Sequence, residues 1–141
     1  MAAAPNGRQL YVANRAAGVV TVVDTAVDKV TATIPISVGP PQYIAFSPDG
    51  RRAYVSVWND ERTIAAVSVL DTTTNTVVDT VPVTTRPFLS AVSPDGKFIY
   101  VPNHDTNNVS VIDTTTDDLV ANFDVAPNPH WVAFTPDGSK L

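Results

Sequence analysis

A seven-residue phrase occurs three times in this 141-residue chain and constrains its folding more tightly than any average property. It reads Ala45-Phe46-Ser47-Pro48-Asp49-Gly50-Arg51, then Ala91-Val92-Ser93-Pro94-Asp95-Gly96-Lys97, then Ala133-Phe134-Thr135-Pro136-Asp137-Gly138-Ser139. A degenerate fourth copy, Pro5-Asn6-Gly7-Arg8, stands near the start, so successive turn prolines are 43, 46 and 42 residues apart. A period in the low forties accommodates one supersecondary unit per repeat, and such units bury their apolar faces only by stacking on one another. The phrase itself is turn chemistry: proline presets φ, aspartate hydrogen-bonds its own backbone, and glycine takes the positive φ that closes a hairpin.

Between these turns the text alternates with a period of two. Tyr-Val follows each turn proline by six residues, at Tyr11-Val12, Tyr54-Val55 and Tyr100-Val101. A second row reads Val20-Thr21-Val22-Val23-Asp24, Val67-Ser68-Val69-Leu70-Asp71 and Val109-Ser110-Val111-Ile112-Asp113. A third row alternates through Val30, Ala32, Ile34 and Ile36, answered by Leu119, Ala121, Phe123 and Val125, while Asp79 interrupts it between Val77 and Val81. Alternation rich in β-branched residues predicts strands, and a charge in the last row predicts an exposed outer strand. Asp-Thr, at residues 24–25, 71–72 and 113–114, supplies the next turn. No helical spacing occurs, so the chain is expected to be all-β: one domain, 1–141, of units at 5–47, 48–93 and 94–135, with the start of a further turn at 136–141.

Four antiparallel strands per unit of about forty residues is how a propeller blade is written. The units resemble the YVTN-type β-propeller repeat, with Tyr11-Val12-Ala13-Asn14 and Tyr100-Val101-Pro102-Asn103 at the name-giving motif. The second unit departs from it: Tyr54-Val55-Ser56-Val57-Trp58-Asn59 runs into extra residues before Val67, giving a longer, more charged loop. The resemblance implies a β-propeller of four-stranded blades, about three per chain and permuted, because the text starts and stops at the turn between a blade's first and second strands. Such rings close with six to eight blades, so closure would come from a second chain or from further sequence. In the first case a homodimer would splice the segment near residues 130 to 135 onto the partner's blade beginning at Leu10. Left open, the first blade is expected to lack its inner strand.

Composition limits the partners. Nine Lys and Arg stand against 14 Asp and Glu, a net charge of −5 with no basic run, which argues against nucleic acid and anionic membranes. No apolar run approaches the roughly 20 residues of a membrane-inserted helix, and the absence of cysteine removes thiolate chemistry and leaves the compartment open. The resemblance alone favours an extracellular or cell-envelope setting. Asn108-Val109-Ser110 matches the glycosylation pattern, and no cofactor motif is present.

Function on such a frame sits on one face, built from the loops that lead into inner strands and those joining second to third strands. Gln42, Phe88 and His130 occupy equivalent positions in successive units and differ while their flanks repeat. With Arg86, Asn14, Asn103, His104 and Asp105 they form the candidate ligand-binding set. The two histidines of the chain, His104 and His130, are the candidate catalytic residues, with Arg86 or Gln42 as an oxyanion partner. They also keep metal binding through His104, Asp105 and His130 as a minor hypothesis against an expectation of no metal and no cofactor. Asp60-Glu61-Arg62 reads as a solvated loop tip, while Trp58 and Trp131 read as packing residues or stacking platforms. The leading expectation is a non-catalytic scaffold that binds a protein or carbohydrate. Alternatives are a lactonase- or lyase-like enzyme, as the resemblance implies, and a purely structural ring.

Overall fold

Short alternating strands and tight turns leave one arrangement for each unit: a meander in which every strand pairs with the next. A computed structural model describes residues 1–141, with three four-stranded antiparallel sheets and no helix. The first sheet contains β1 (Ala2–Ala3), β2 (Gln9–Asn14), β3 (Val19–Asp24) and β4 (Lys29–Pro35). The second contains β5 (Pro41–Phe46), β6 (Arg52–Trp58), β7 (Ala65–Asp71) and β8 (Thr76–Pro82). The third contains β9 (Ala91–Val92), β10 (Phe98–Asn103), β11 (Asn108–Asp113) and β12 (Leu119–Asp124). The chain is thus all-β and forms part of a propeller, and its second and third sheets take their first strand from the preceding sequence repeat.

One expectation is corrected. The first blade does not lack its inner strand, because Ala2 and Ala3 pair with Tyr11 and Leu10. The Pro5–Gly7 turn brings them back, its ends tied by Ala4 N–H donating to Gln9 O at 2.8 Å and Gly7 N–H to Ala4 O at 2.8 Å. The segment after β12, by contrast, forms no strand: its one bridge is the parallel pair of Trp131 with Leu89 in the β8–β9 connection, and Phe134 meets Tyr100 of β10 edge-on. A lone inner strand has no ladder to join.

The middle sheet carries the energetics. Side chains alternate across β6, sending Ala53, Val55 and Val57 into one core with Tyr11, Val20, Val22, Ile34, Ile44 and Leu70. Tyr54 goes into a second core with Val67, Val69, Ile99, Val101 and Ile112. Burial of both faces explains how so small a chain tolerates only 16% charged residues. The outer strands β4, β8 and β12 face water and share one irregularity: pairing slips after Val22, Val69 and Val111, leaving Thr31, Val78 and Val120 as extra residues. A repeated bulge twists each exposed edge away from flat pairing.

The recurring turn residues interlock. Ser47 Oγ–H donates to Asp49 Oδ1 at 2.6 Å, Ser93 to Asp95 at 2.6 Å and Thr135 to Asp137 at 2.5 Å. The threonine of each Asp-Thr pair donates to the glycine carbonyl of the same unit's turn, from Thr25 to Gly7 at 2.7 Å, Thr72 to Gly50 at 2.6 Å and Thr114 to Gly96 at 2.6 Å. Turns also stack between units: Gly138, at φ +69°, lies so close to Pro94 that a Cβ would come within 2.8 Å of its Cγ. Between the first two sheets, Tyr11 O–H donates to Asn75 Oδ1 at 2.7 Å across 64 residues of sequence. Asp117 takes the place of Asn75 in the third unit, both with left-handed backbone. It faces Tyr54, whose hydroxyl is pushed up to about 12 by burial and then by the Asp117 charge.

These contacts set the sign of the acid response. The Ser47 hydroxyl holds Asp49 below the ordinary carboxylate range, the Thr73 and Ser93 hydroxyls do the same for Asp71 and Asp95, and the Thr115 hydroxyl for Asp113. Asp137 is lowered to about 2, first by Thr135. A depressed folded-state pKa contributes stability above the unfolded value of about 4 and loses it as pH falls. Urea unfolding is therefore expected to give a midpoint that falls steadily from about pH 4 towards pH 2. Asp117 has the opposite sign, raised by burial against the pull of Arg52. Asp117→Asn is expected to raise the midpoint at pH 7 and to give no gain near pH 3; a lower midpoint at pH 7 would contradict this account.

Candidate functional site

Opposite the Pro-Asp-Gly turns, the connections β2–β3, β6–β7 and β10–β11 lie beside the segments that lead into inner strands. The β8–β9 connection is stitched to the end of β10: Phe88 N–H donates to Pro102 O at 2.9 Å and His104 N–H to Arg86 O at 3.0 Å. Ser56 of β6 donates its hydroxyl to Phe88 O at 2.7 Å, and Leu89 N–H reaches His130 O at 3.2 Å. These hydrogen bonds thus place Phe88 between the second and third units.

Four rings meet it there. Tyr43, Trp58 and His104 lie nearly parallel to Phe88 with centroids 5.2, 5.9 and 5.3 Å away, and His130 meets it edge-on at 4.9 Å. The two histidine rings are 4.8 Å apart. Arg86 lays its guanidinium over Trp58 at 4.5 Å from the ring centroid, and Arg15 lies over the same ring at 5.3 Å. Such contacts add to the burial of the rings themselves.

Asp105 ties the cations together. Its Oδ1 accepts from His104 Nδ1–H at 2.6 Å and lies 3.5 Å from Arg86 Nη1, while its Oδ2 lies 2.9 Å from Arg62 Nε. Burial acts to raise the Asp105 pKa, but the His104 hydrogen bond and the Arg62 and Arg86 charges outweigh it, so the carboxyl titrates below its ordinary range. With Nδ1 engaged, His104 keeps Nε2 for a ligand or a proton. No group of three or more His, Asp or Glu residues is arranged to hold a metal ion.

The remaining candidates stand apart from the rings to different degrees. Gln42 is the extra residue where β5 slips against β6, and its Nε2–H donates to Trp58 O at 2.9 Å, so it braces the indole's main chain. Asn14 donates within its own hairpin to Val12 O at 3.0 Å and Thr21 Oγ1 at 2.7 Å. Asn103 is fully buried and donates to Asn108 Oδ1 at 2.9 Å and Ser110 Oγ at 2.8 Å. Both asparagines fasten hairpin ends and join no ring. Trp131 is 72% exposed and outside the cluster. Tyr43, Arg15 and Arg62 belong to the site but were not among the residues picked from sequence; the longer, charged second-unit loop was the one signal for Arg62. Two clefts of about 270 and 370 Å³ lie at the far end, among the Pro-Asp-Gly turns, and share no residue with the cluster.

A family model described as "Lactonase, 7-bladed beta-propeller" matches residues 23–141. Among solved structures, Kuenenia stuttgartiensis hydrazine synthase superposes with a TM-score of 0.87 at 30% identity, covering 96% of this chain and 38% of that chain. The chain therefore spans well under half the length of that protein. No curated protein sequence matches it.

Removing the shared carboxylate tests how the cluster is held. Asp105→Asn keeps the shape but leaves two arginines without their common anion, and is expected to lower unfolding free energy by about 1–3 kcal/mol. Asp60→Asn, which breaks the exposed Arg15–Asp60 pair, is expected to change little. Equal losses in the two variants by urea unfolding would show that Asp105 is no hub.

Proposed function

The chain belongs to the lactonase family of seven-bladed β-propellers, and from that premise we propose that its blades present a binding surface for a small ring-shaped ligand of the carbohydrate kind. The observation that carries this reading is Phe88, with rings from three successive units converging on it. Ring faces of this kind accept the C–H face of a sugar, and the flanking arginines and His104 supply polar contacts that orient it. The repeats are of the YVTN type, and the frame is a rigid scaffold for loops rather than the seat of chemistry. Seven blades require four beyond the three in this chain. A symmetric pair of chains supplies six, so continuation in a longer polypeptide fits the family plan better than the homodimer.

A second reading rests on the family and on the His104–Asp105 hydrogen bond at 2.6 Å. Asp105 holds the His104 imidazole with Nε2 free to take a proton from water as its oxygen attacks a lactone carbonyl. Arg86 stabilises the oxyanion; the ring C–O bond then breaks and the leaving alkoxide recovers the proton. Gln42 is less suited to that role because its amide donates to Trp58 O.

Replacing Trp131 by Phe leaves Trp58 as the one tryptophan, a reporter inside the site. Titration with D-glucono-1,5-lactone is expected to give a saturable fluorescence change that Phe88→Ala weakens at least tenfold, with hydrolysis no faster than in buffer. Hydrolysis above buffer that disappears in His104→Ala would move the conclusion to the second reading. No saturable change and no turnover would reject both.

A further inference from the structure

Two hydrogen-bond donors in the ring cluster have no acceptor. Trp58 is only 7% exposed, and its indole Nε1–H is buried without a partner. The Nε–H of Arg86, whose guanidinium lies 4.5 Å from the centre of that indole, is buried and unpartnered as well. Buried donors are ordinarily satisfied, and two adjacent orphans of the same polarity point to a missing acceptor. Asp105 does not serve: its Oδ1 is held by His104 at 2.6 Å and lies 3.5 Å from Arg86 Nη1, and its Oδ2, itself buried without a hydrogen-bond partner, is turned to Arg62 at 2.9 Å rather than to Arg86 Nε or the indole. Arg86 is therefore the least committed cation of the site.

Its backbone carries a second sign of special use. Seven non-glycine residues have positive φ, and five of them are Asp or Asn, which adopt that conformation readily. The other two are Arg62 and Arg86, at φ 61° and 57°, and both converge on Asp105. Long side chains in a costly backbone conformation mark positions where aim matters more than local preference.

We propose that Arg86 and Trp58 form a carboxylate subsite: the guanidinium turns off the indole and offers its Nε–Nη edge to the two oxygens of an incoming carboxylate, and the unpartnered indole N–H donates to the same group. The fork geometry of arginine matches a planar carboxylate, and Phe88 beside it takes the ring that bears it. The ligand class is thus narrowed to cyclic carboxylates such as uronic acids. This step rests on the ring-binding reading above, and its test separates the two.

D-Glucuronate and D-glucose share a pyranose ring and differ in a carboxylate at C6. Each is titrated into the Trp131→Phe protein at pH 7 and fixed ionic strength, with Trp58 emission as readout. Glucuronate is expected to bind at least tenfold more tightly than glucose and to shift the emission as Arg86 leaves the ring. In Arg86→Gln the affinity ratio is expected to fall close to one, and in Arg86→Lys, which keeps the charge without the fork, to lose most of its excess. Circular dichroism confirms that each variant folds. Equal affinities in the parent protein would overturn the carboxylate subsite and leave ring binding standing. A ratio that survives Arg86→Gln would also overturn it, by assigning the charge to another residue. Failure of both sugars to bind would remove the ring-binding reading along with the inference.

Discussion

Everything in this fold depends on the middle sheet being covered on both faces. A four-stranded meander has two apolar sides and no interior of its own, so β6 and β7 are stable only because β2, β3 and β4 residues pack on one side and β10 and β11 on the other. Val55 and Tyr54 are neighbours in sequence yet belong to different cores. That demand on strict alternation fixes strand register, and register in turn demands turns of uniform shape. The Ser–Asp bonds within each Pro-Asp-Gly turn and the Thr–Gly bonds between turns supply that uniformity at one end of the blades. At the other end the repeated side-chain bonds are those of Asn14 to Thr21 and Asn103 to Ser110, and the loop side chains beyond them are free to diverge.

Much of this frame is legible in the sequence because its causes are local. Proline, aspartate and glycine at fixed offsets specify a turn whatever surrounds them, and alternation of β-branched residues specifies a pleated face. What escaped reading depends on partners far along the chain. Tyr11 gives no sign that its hydroxyl meets Asn75, and Ala2 and Ala3 have too little side chain to announce a strand. The outer-strand bulges hide because one inserted residue in a row of alternating valines, such as Val78 or Val120, looks like continued β text.

The site was legible in part and for the same reason. Phe88 and His130 were singled out because they break a repeating pattern, His104 as the other histidine of the chain, and Arg86 and Asp105 by their place in the same loops; the fold gathers all five. Asn14 and Asn103 repeat at the motif position, and a residue that repeats has a task each unit needs; here that task is to fasten the second and third strands. Gln42 breaks the pattern but turns back on the Trp58 main chain. Tyr43 shows no pattern at all until the units are stacked, since it joins the cluster through Phe88 of the next unit, and Arg62, flagged only by its charged loop, does so through Asp105.

The cluster is centred on the middle unit for a physical reason. Only there does a blade have neighbours on both sides within this chain, so only there does a large ring at the end of β6 gain cover from both directions. Trp58 uses that cover to bury its indole, and the β8–β9 connection brings Phe88 and Arg86 over it. The equivalent of Phe88 one unit further on is His130, which is exposed and followed by a bare Trp131. A blade packed beyond β12 would cover those residues as the third unit covers Trp58, extending the aromatic row around the channel mouth by the same repeat geometry that created it.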